Sequence, residues 1–178
     1  MNAERIDREE LLQKSALWAR DQEYLECVRD ILDNEIFQSM DQFIQHGHTT
    51  CKDHCVQVSY IAYQICRNRG WDSRSAARAG LLHDLFLYDW HTHARDTGEH
   101  FHGFTHPRVA MENAIRYFDI SEKEQNMILR HMWPLNPVPP RYKEGYTILY
   151  ADKICGLAEV GAHLKAWFLV ALWPRQMG

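Results

Sequence analysis

A chain of 178 residues, 46% hydrophobic and 25% charged, has the composition of one globular domain with a buried core rather than of a disordered segment. Its net charge of −4 leaves no basic field to draw it onto nucleic acid or an anionic lipid surface. Any phosphate-bearing partner would have to be attracted locally, by metal ions or a few basic side chains.

The opening stretch MNAERIDREELLQK is charged and has no apolar signal core. Ile6, Leu11, Leu12, Leu17 and Trp18 are spaced for a first helix, and Tyr24, Leu25, Val28, Ile31 and Leu32 for a second. A third helix is expected from about Lys52 to Asn68, with Cys55, Val58, Ile61, Ala62 and Ile65 on its apolar stripe and Gly70 as its stop. Asp72 or Ser73 can cap a fourth, running through Ala76, Ala79, Leu81 and Leu82 to about Leu85.

The stretch from about Asp89 to Phe104 has no helical spacing and holds His91, His93, His100 and His102 beside Trp90, Phe101 and Phe104. Loops of that length in a small domain are often functional. Pro107, preceded by Thr105 and His106, fits the first turn of a fifth helix. Ser121 and Glu124 form a capping box for a sixth, which carries Met127, Ile128 and His131. The four prolines of WPLNPVPP break the chain, and a seventh helix is expected from about Tyr146 to Leu157.

Ala162 to Trp173 is apolar but too short to span a membrane, carries His163 and Lys165, and stops at Pro174; it reads as a docked terminal helix. No stretch alternates as a strand does. The expectation is an all-α single domain over residues 1–178. The five cysteines, an odd number with no CxxC pair, fit reduced thiols in a cytoplasmic protein.

Placed on these helices, several polar residues fall on the faces that should be buried. His54 lies one turn before Val58 and two before Ile61, Asp152 one turn after Ile148 and Leu149, and His131 one turn after Met127 and Ile128. His83 and Asp84 end the apolar run AARAGLLHD. Taken singly, an inward histidine is usually a hydrogen-bonded core residue, and a buried aspartate a cap or ion-pair partner. Jointly they make imidazoles and carboxylates converge where few lysines or arginines can neutralise them, and a bound cation resolves that cost.

The order H…HD…D, here His54, His83–Asp84 and Asp152, resembles the defining motif of the HD superfamily of metal-dependent phosphohydrolases. KDHCVQVSYIAYQI is similar to that family's first-histidine helix, ARAGLLHDL to its HD helix and ILYADKICGL to its final-aspartate helix. The likeness covers about residues 43–159, with flanking helices on either side. His106 in GFTHPRVAMENA and His131 in MILRHMWP look like the added pair of the members that bind two ions. The resemblance implies an HD-type helical domain. Its first divalent metal would be held by His54, His83, Asp84 and Asp152, its second by Asp84, His106 and His131, with Asp84 shared. Such a centre activates a water for attack on phosphorus and offsets charge in the transition state. Nitrogen and oxygen ligands together suit Fe, Mn, Zn, Co or Ni better than Mg.

The pattern departs from the family in two places. Many members carry lysine or glutamate three residues after the HD aspartate, where this chain has Leu87; Asp89 and His91 are the nearest replacements for that acid, or else belong to a solvated loop. RHMWPLNPVPP lacks the HHExxDGxGYP signature of the cyclic-dinucleotide phosphodiesterases. Arg108, two residues after His106, and Lys153, beside Asp152, could contact a substrate phosphate or serve as surface charges. Trp90, Trp133 and Tyr150 either wall a base-stacking pocket or pack against their neighbours. The six-ligand pattern is also similar to that of mixed-valence di-iron oxygenases, and a metal-containing sensor without catalysis has the same ligands.

Overall fold

The computed structural model describes residues 17–46, 49–90 and 102–160. The expected helix over Ile6 to Trp18 lies outside them except for Leu17–Arg20, a short 3-10 turn. The segments holding His91, His93 and His100, and the expected helix from Ala162 to Trp173, also lie outside the described residues.

Helix α1 spans Gln22–Leu32 and begins where the Asp21 side chain accepts the Tyr24 N–H. Its buried residues Tyr24, Val28 and Ile31 recur at helical spacing. A single turn, α2 (Glu35–Gln38), is capped by Asn34 and leads through a second 3-10 turn into a small hairpin. Strand β1 (Ile44–His46) pairs antiparallel with β2 (Thr49–Thr50). This hairpin is compatible with the all-α reading: three residues against two are too few to show sustained alternation, so the sequence pattern has nothing to register.

Helix α3 (Cys51–Asn68) is capped by Thr50, whose hydroxyl accepts the Asp53 N–H. It ends with Gly70 at φ +63°, and the N–H groups of Gly70 and Trp71 return to the carbonyls of Arg67 and Cys66. Its buried side runs through Cys51, His54, Cys55, Val58, Ser59, Ala62 and Cys66, so the stripe is rotated from the expected one and leaves Ile61 and Ile65 half-buried. Helix α4 (Ser73–Leu82) is capped by Asp72, and every residue from Ala76 to Leu82 is buried. Burial all round follows from its neighbours, since α4 packs against α1, α3 and the three later helices.

The small residues of α4 permit that crowding. A Cβ on Gly80 would stand 2.6 Å from the Ser59 Cα, so α3 and α4 touch backbone to backbone there. One turn away, the Tyr24 hydroxyl donates to Ser59 Oγ (2.8 Å), which donates to the Ala77 carbonyl (2.7 Å), linking α1, α3 and α4.

Helix α5 (His102–Tyr117) contains Pro107 in its interior, not in its first turn; the proline's missing N–H costs one intrahelical bond that the longer helix tolerates. Helix α6 (Glu122–Arg130) has the expected capping box, with Ser121 and Glu124 bonded reciprocally. The proline-rich segment forms turns as far as Tyr142, and α7 (Lys143–Val160) follows, beginning earlier than the apolar spacing suggests. The chain is all-α apart from the hairpin, with α3 and α4 as its packed centre and α7 against α3. No disulfide joins the five cysteines among the described residues. Among the described residues no helix is long and apolar enough to cross a membrane.

Candidate metal centre

Five helices deliver the polar cluster, three of its histidines by a local device at a helix end. His54 sits in the first turn of α3, where the Thr50 cap fixes the start of the helix. His83 is the C-cap residue of α4 and His131 the C-cap residue of α6. The last carbonyls of a helix lack intrahelical partners, and both rings use Nδ1 to serve one: His83 donates to the Gly80 carbonyl (2.8 Å) and His131 to that of Ile128 (2.7 Å). With the proton fixed on Nδ1, the Nε2 lone pair of each neutral ring points into the cluster.

His106 on α5 and Asp152 on α7 complete the set. Asp84 stands at its centre and divides its two oxygens. Oδ2 lies 3.4 Å from His83 Nε2 and 4.0 Å from His54 Nε2. Oδ1 lies 3.2 Å from His106 Nε2 and 3.6 Å from His131 Nε2. Asp152 Oδ1 is 3.2 Å from His54 Nε2 and 3.8 Å from His83 Nε2. The two later histidines face each other, with 3.0 Å between their Nε2 atoms.

All six residues named in advance are therefore brought together. They form three overlapping ligand groups: His54 with His83 and Asp84, His83 with His131 and Asp152, and Asp84 with His106 and His131. The second group joins His131 to the first pair of helices, so the two expected sets interlock more closely than the spacing implies. Five of the six are buried, and the Asp152 side chain, 19% exposed, is the one that meets solvent.

The electrostatics follow from this burial. Desolvation alone would raise the Asp84 carboxyl, but His83, His106 and His131 outweigh it and hold the group well below the usual carboxylate range. Burial likewise opposes ionisation of Asp152, and its hydrogen bond to His54 and the nearby His83 ring more than reverse that. Burial disfavours a charged His83, yet Asp84 and Asp152 raise its affinity for a proton above that of free imidazole. His131 is the opposite: burial, and then His83 and His106, push it down to about 3. One ring competes for a proton while another stays neutral with its lone pair inward.

Two buried atoms, His83 Nε2 and Asp84 Oδ1, have no hydrogen-bond partner among the described residues. Native interiors rarely leave such atoms unserved unless something else meets them. Both face the middle of a set of imidazole nitrogens and carboxylate oxygens, the donors that transition-metal dications prefer. The residues fit a metal.

Asp89 is exposed, and His91 lies outside the described residues. Arg108 is exposed on α5, near His106 in sequence. Lys153 is exposed and its Nζ donates to the Trp133 carbonyl (3.2 Å), which ties α7 to the proline-rich turn. Trp133 meets Tyr146 edge-on at 6.1 Å, and Trp90 and Tyr150 are half-buried. Leu87 adopts φ +59°, the left-handed region, directly after the HD turn.

One neighbour of the centre carries no motif at all. Gln45, buried on β1, donates from Nε2 to Asp84 Oδ2 at 2.7 Å. Its polar side chain between Ile44 and His46 was legible, but nothing in the spacing sets it beside Asp84. Two further groups brace the backbone after His83: the Cys51 thiol donates to the Asp84 carbonyl (3.5 Å) and Asn113 to that of Leu85 (2.8 Å).

A family model described as HD domain matches residues 52–155. That span includes all six cluster residues and more than half of the chain. No curated protein and no solved structure matches the chain.

Proposed function

The chain belongs to the HD-domain family, and we propose that it is a metal-dependent phosphohydrolase acting on a small phosphate ester or phosphoanhydride, nucleotide-like in character. The observation that carries this reading is the division of Asp84, with one oxygen toward His83 and His54 and the other toward His106 and His131. A carboxylate so placed is suited to serve two cations at once. In this reading His54, His83, Asp84 and Asp152 hold one divalent ion, and Asp84, His106 and His131 a second, drawn from Fe, Mn, Zn, Co and Ni. Bound there, such ions supply Lewis acidity, lowering the pKa of a water and offsetting phosphate charge.

The chain's own residues have separate tasks. The Nδ1 bonds to Gly80 and Ile128 keep His83 and His131 from rotating, so the donor set is organised in advance. Apolar packing by Leu85, Phe86 and Ala110 excludes water from the inner side. The partial exposure of Asp152 makes its edge the proposed approach for substrate, and the exposed Lys153 is the next residue in the chain. Arg108 and Lys153 are the proposed phosphate contacts, and Asp84, Asp89 and His91 the proposed groups for proton handling. The sequence is read as one cytoplasmic domain.

The test is metal analysis of protein purified without added metal, followed by a panel of phosphorylated metabolites and nucleotides assayed with the metal found. Metal-dependent phosphate release from at least one of them is expected, and His83→Ala should abolish it. Unchanged release in that variant would falsify the assignment. Oxygen-dependent turnover of an iron-loaded, anaerobically prepared sample would instead favour the oxygenase reading.

A further inference from the structure

We propose that Gln45 is a positioning residue of the centre, fixing the Asp84 carboxylate so that its two oxygens face opposite pairs of histidines. The inference rests on the reading of the cluster as a metal site.

Asp84 needs such a restraint because the helix no longer provides one. It lies beyond the last residue of α4, where the backbone turns away and Leu87 reaches φ +59°. A carboxylate there can rotate about its side-chain bonds, and either oxygen could turn to either histidine pair. The Gln45 amide is anchored elsewhere, on β1, a strand that packs against α3 and α7. Its Nε2 reaches Oδ2 at 2.7 Å, on the side where His83 and His54 stand. Holding Oδ2 leaves Oδ1 directed at His106 and His131.

The amide's orientation is itself determined. An ionised carboxylate accepts hydrogens, so Nε2 and not Oε1 must face it. The consequence is that Oε1 is buried with no partner among the described residues. A glutamine serving only to fill space could be replaced by an apolar side chain without that cost; this fold retains the orphan acceptor and gains a directed N–H at the shared ligand. Groups that orient metal ligands in this way typically contribute ten- to a hundredfold to metal affinity, on the order of what Gln45 is assigned here.

The experiment uses the full chain stripped by a chelator and titrated with manganese(II), comparing the natural protein with Gln45→Met, which keeps the length and removes the donor. Metal-free Gln45→Met should show unchanged helical circular dichroism, with manganese affinity reduced about tenfold or more. The electron paramagnetic resonance signature of a coupled manganese pair should weaken with it, a change that loss of packing alone would not produce. Affinity within twofold of the natural protein, with the coupled signal intact, overturns the proposal and leaves the metal reading standing. Failure of the natural protein to bind manganese, or any of the other candidate metals, overturns both. Should Gln45→Met not fold, Gln45→Ala in the same titration decides by the same criteria.

Discussion

Helix α4 carries two buried charged regions less than two turns apart, and they are completed in opposite ways. In the middle of the helix, Arg78 is 5% exposed and fully answered by protein. Its Nη1 donates to Asp30 Oδ1 (2.6 Å) and the Cys27 carbonyl (3.2 Å), its Nη2 to the Asp119 carbonyl (3.0 Å), and its Nε meets Glu124 Oε1 at 3.1 Å. At the end of the helix, Asp84 and Asp152 share four imidazoles, and both carboxylates favour a proton on the buried His83. Two of its buried polar atoms remain unserved among the described residues. A buried charge that the fold completes is a structural tie. A buried constellation of imidazoles and carboxylates that the fold organises and leaves with unserved atoms is one that could hold a cation.

If that contrast is right, the two regions must respond differently to loss of one member. Asp84→Asn should reduce phosphate release on the order of a thousandfold, comparable to removing a main transition-state stabiliser, and should lower metal content in the same preparation. Its metal-free form should unfold within about 1.5 kcal/mol of the natural protein, because His83 can shed its proton once the carboxylate is gone. Arg78→Met should do the reverse. An arginine cannot neutralise itself, and its removal leaves the buried Glu124 carboxylate without its cation, at a cost of about 3 kcal/mol in unfolding free energy. Metal content per folded chain should not change. Denaturant titration with parallel metal analysis measures both variants, and equal responses would erase the distinction.

A smaller substitution tests whether the regions are mechanically separate. Gly80 lies between Arg78 and His83, and its carbonyl receives the His83 Nδ1 hydrogen. Its hydrogen stands against the Ser59 backbone, where a methyl group would have to push α3 from α4. Gly80→Ala should cost about 2 kcal/mol by overpacking. Because His54 is on α3 and His83 at the end of α4, the same displacement should weaken metal binding severalfold, which Arg78→Met should not do. Calorimetric metal titration of the two variants separates these outcomes.

The difference between the regions also governs what the sequence could reveal. His54 and Asp152 are legible because each shares a helical face with apolar residues, and His83–Asp84 because it ends an apolar run. The capping box at Ser121 is equally local and is found as read. The Arg78 node goes unread because its partners lie on α1, α6 and the turn at Asp119, elements with no common period. Gln45 is hidden for the same reason: it meets Asp84 only through the pairing of a three-residue strand. Pro107 misleads because proline at a first turn is the commoner arrangement, whereas here α5 has already begun by His102. Periodicity reports which face is buried, not what is buried opposite.

The finest division between the regions is in their response to acid. Burial alone would raise the Asp30 carboxyl, but the hydrogen bond and charge of Arg78 outweigh it and hold the group below its ordinary 3.8. A carboxyl lowered on folding stabilises the folded state fully above its unfolded value and loses that contribution as pH falls through the lowered one. The stability gap between the natural protein and Arg78→Met should therefore be constant from neutrality down to about pH 5 and narrow below about pH 4. The narrowing should be small, because the Asp30 side chain is 59% exposed and water screens the pair. The rest of the gap belongs to the nearly inaccessible contact between Arg78 and Glu124 and to the carbonyls that Arg78 also serves. Repeating the denaturant titrations on an Asp30→Asn background isolates that pair: if Arg78→Met there still shows the same narrowing below about pH 4, the narrowing belongs to a group other than Asp30.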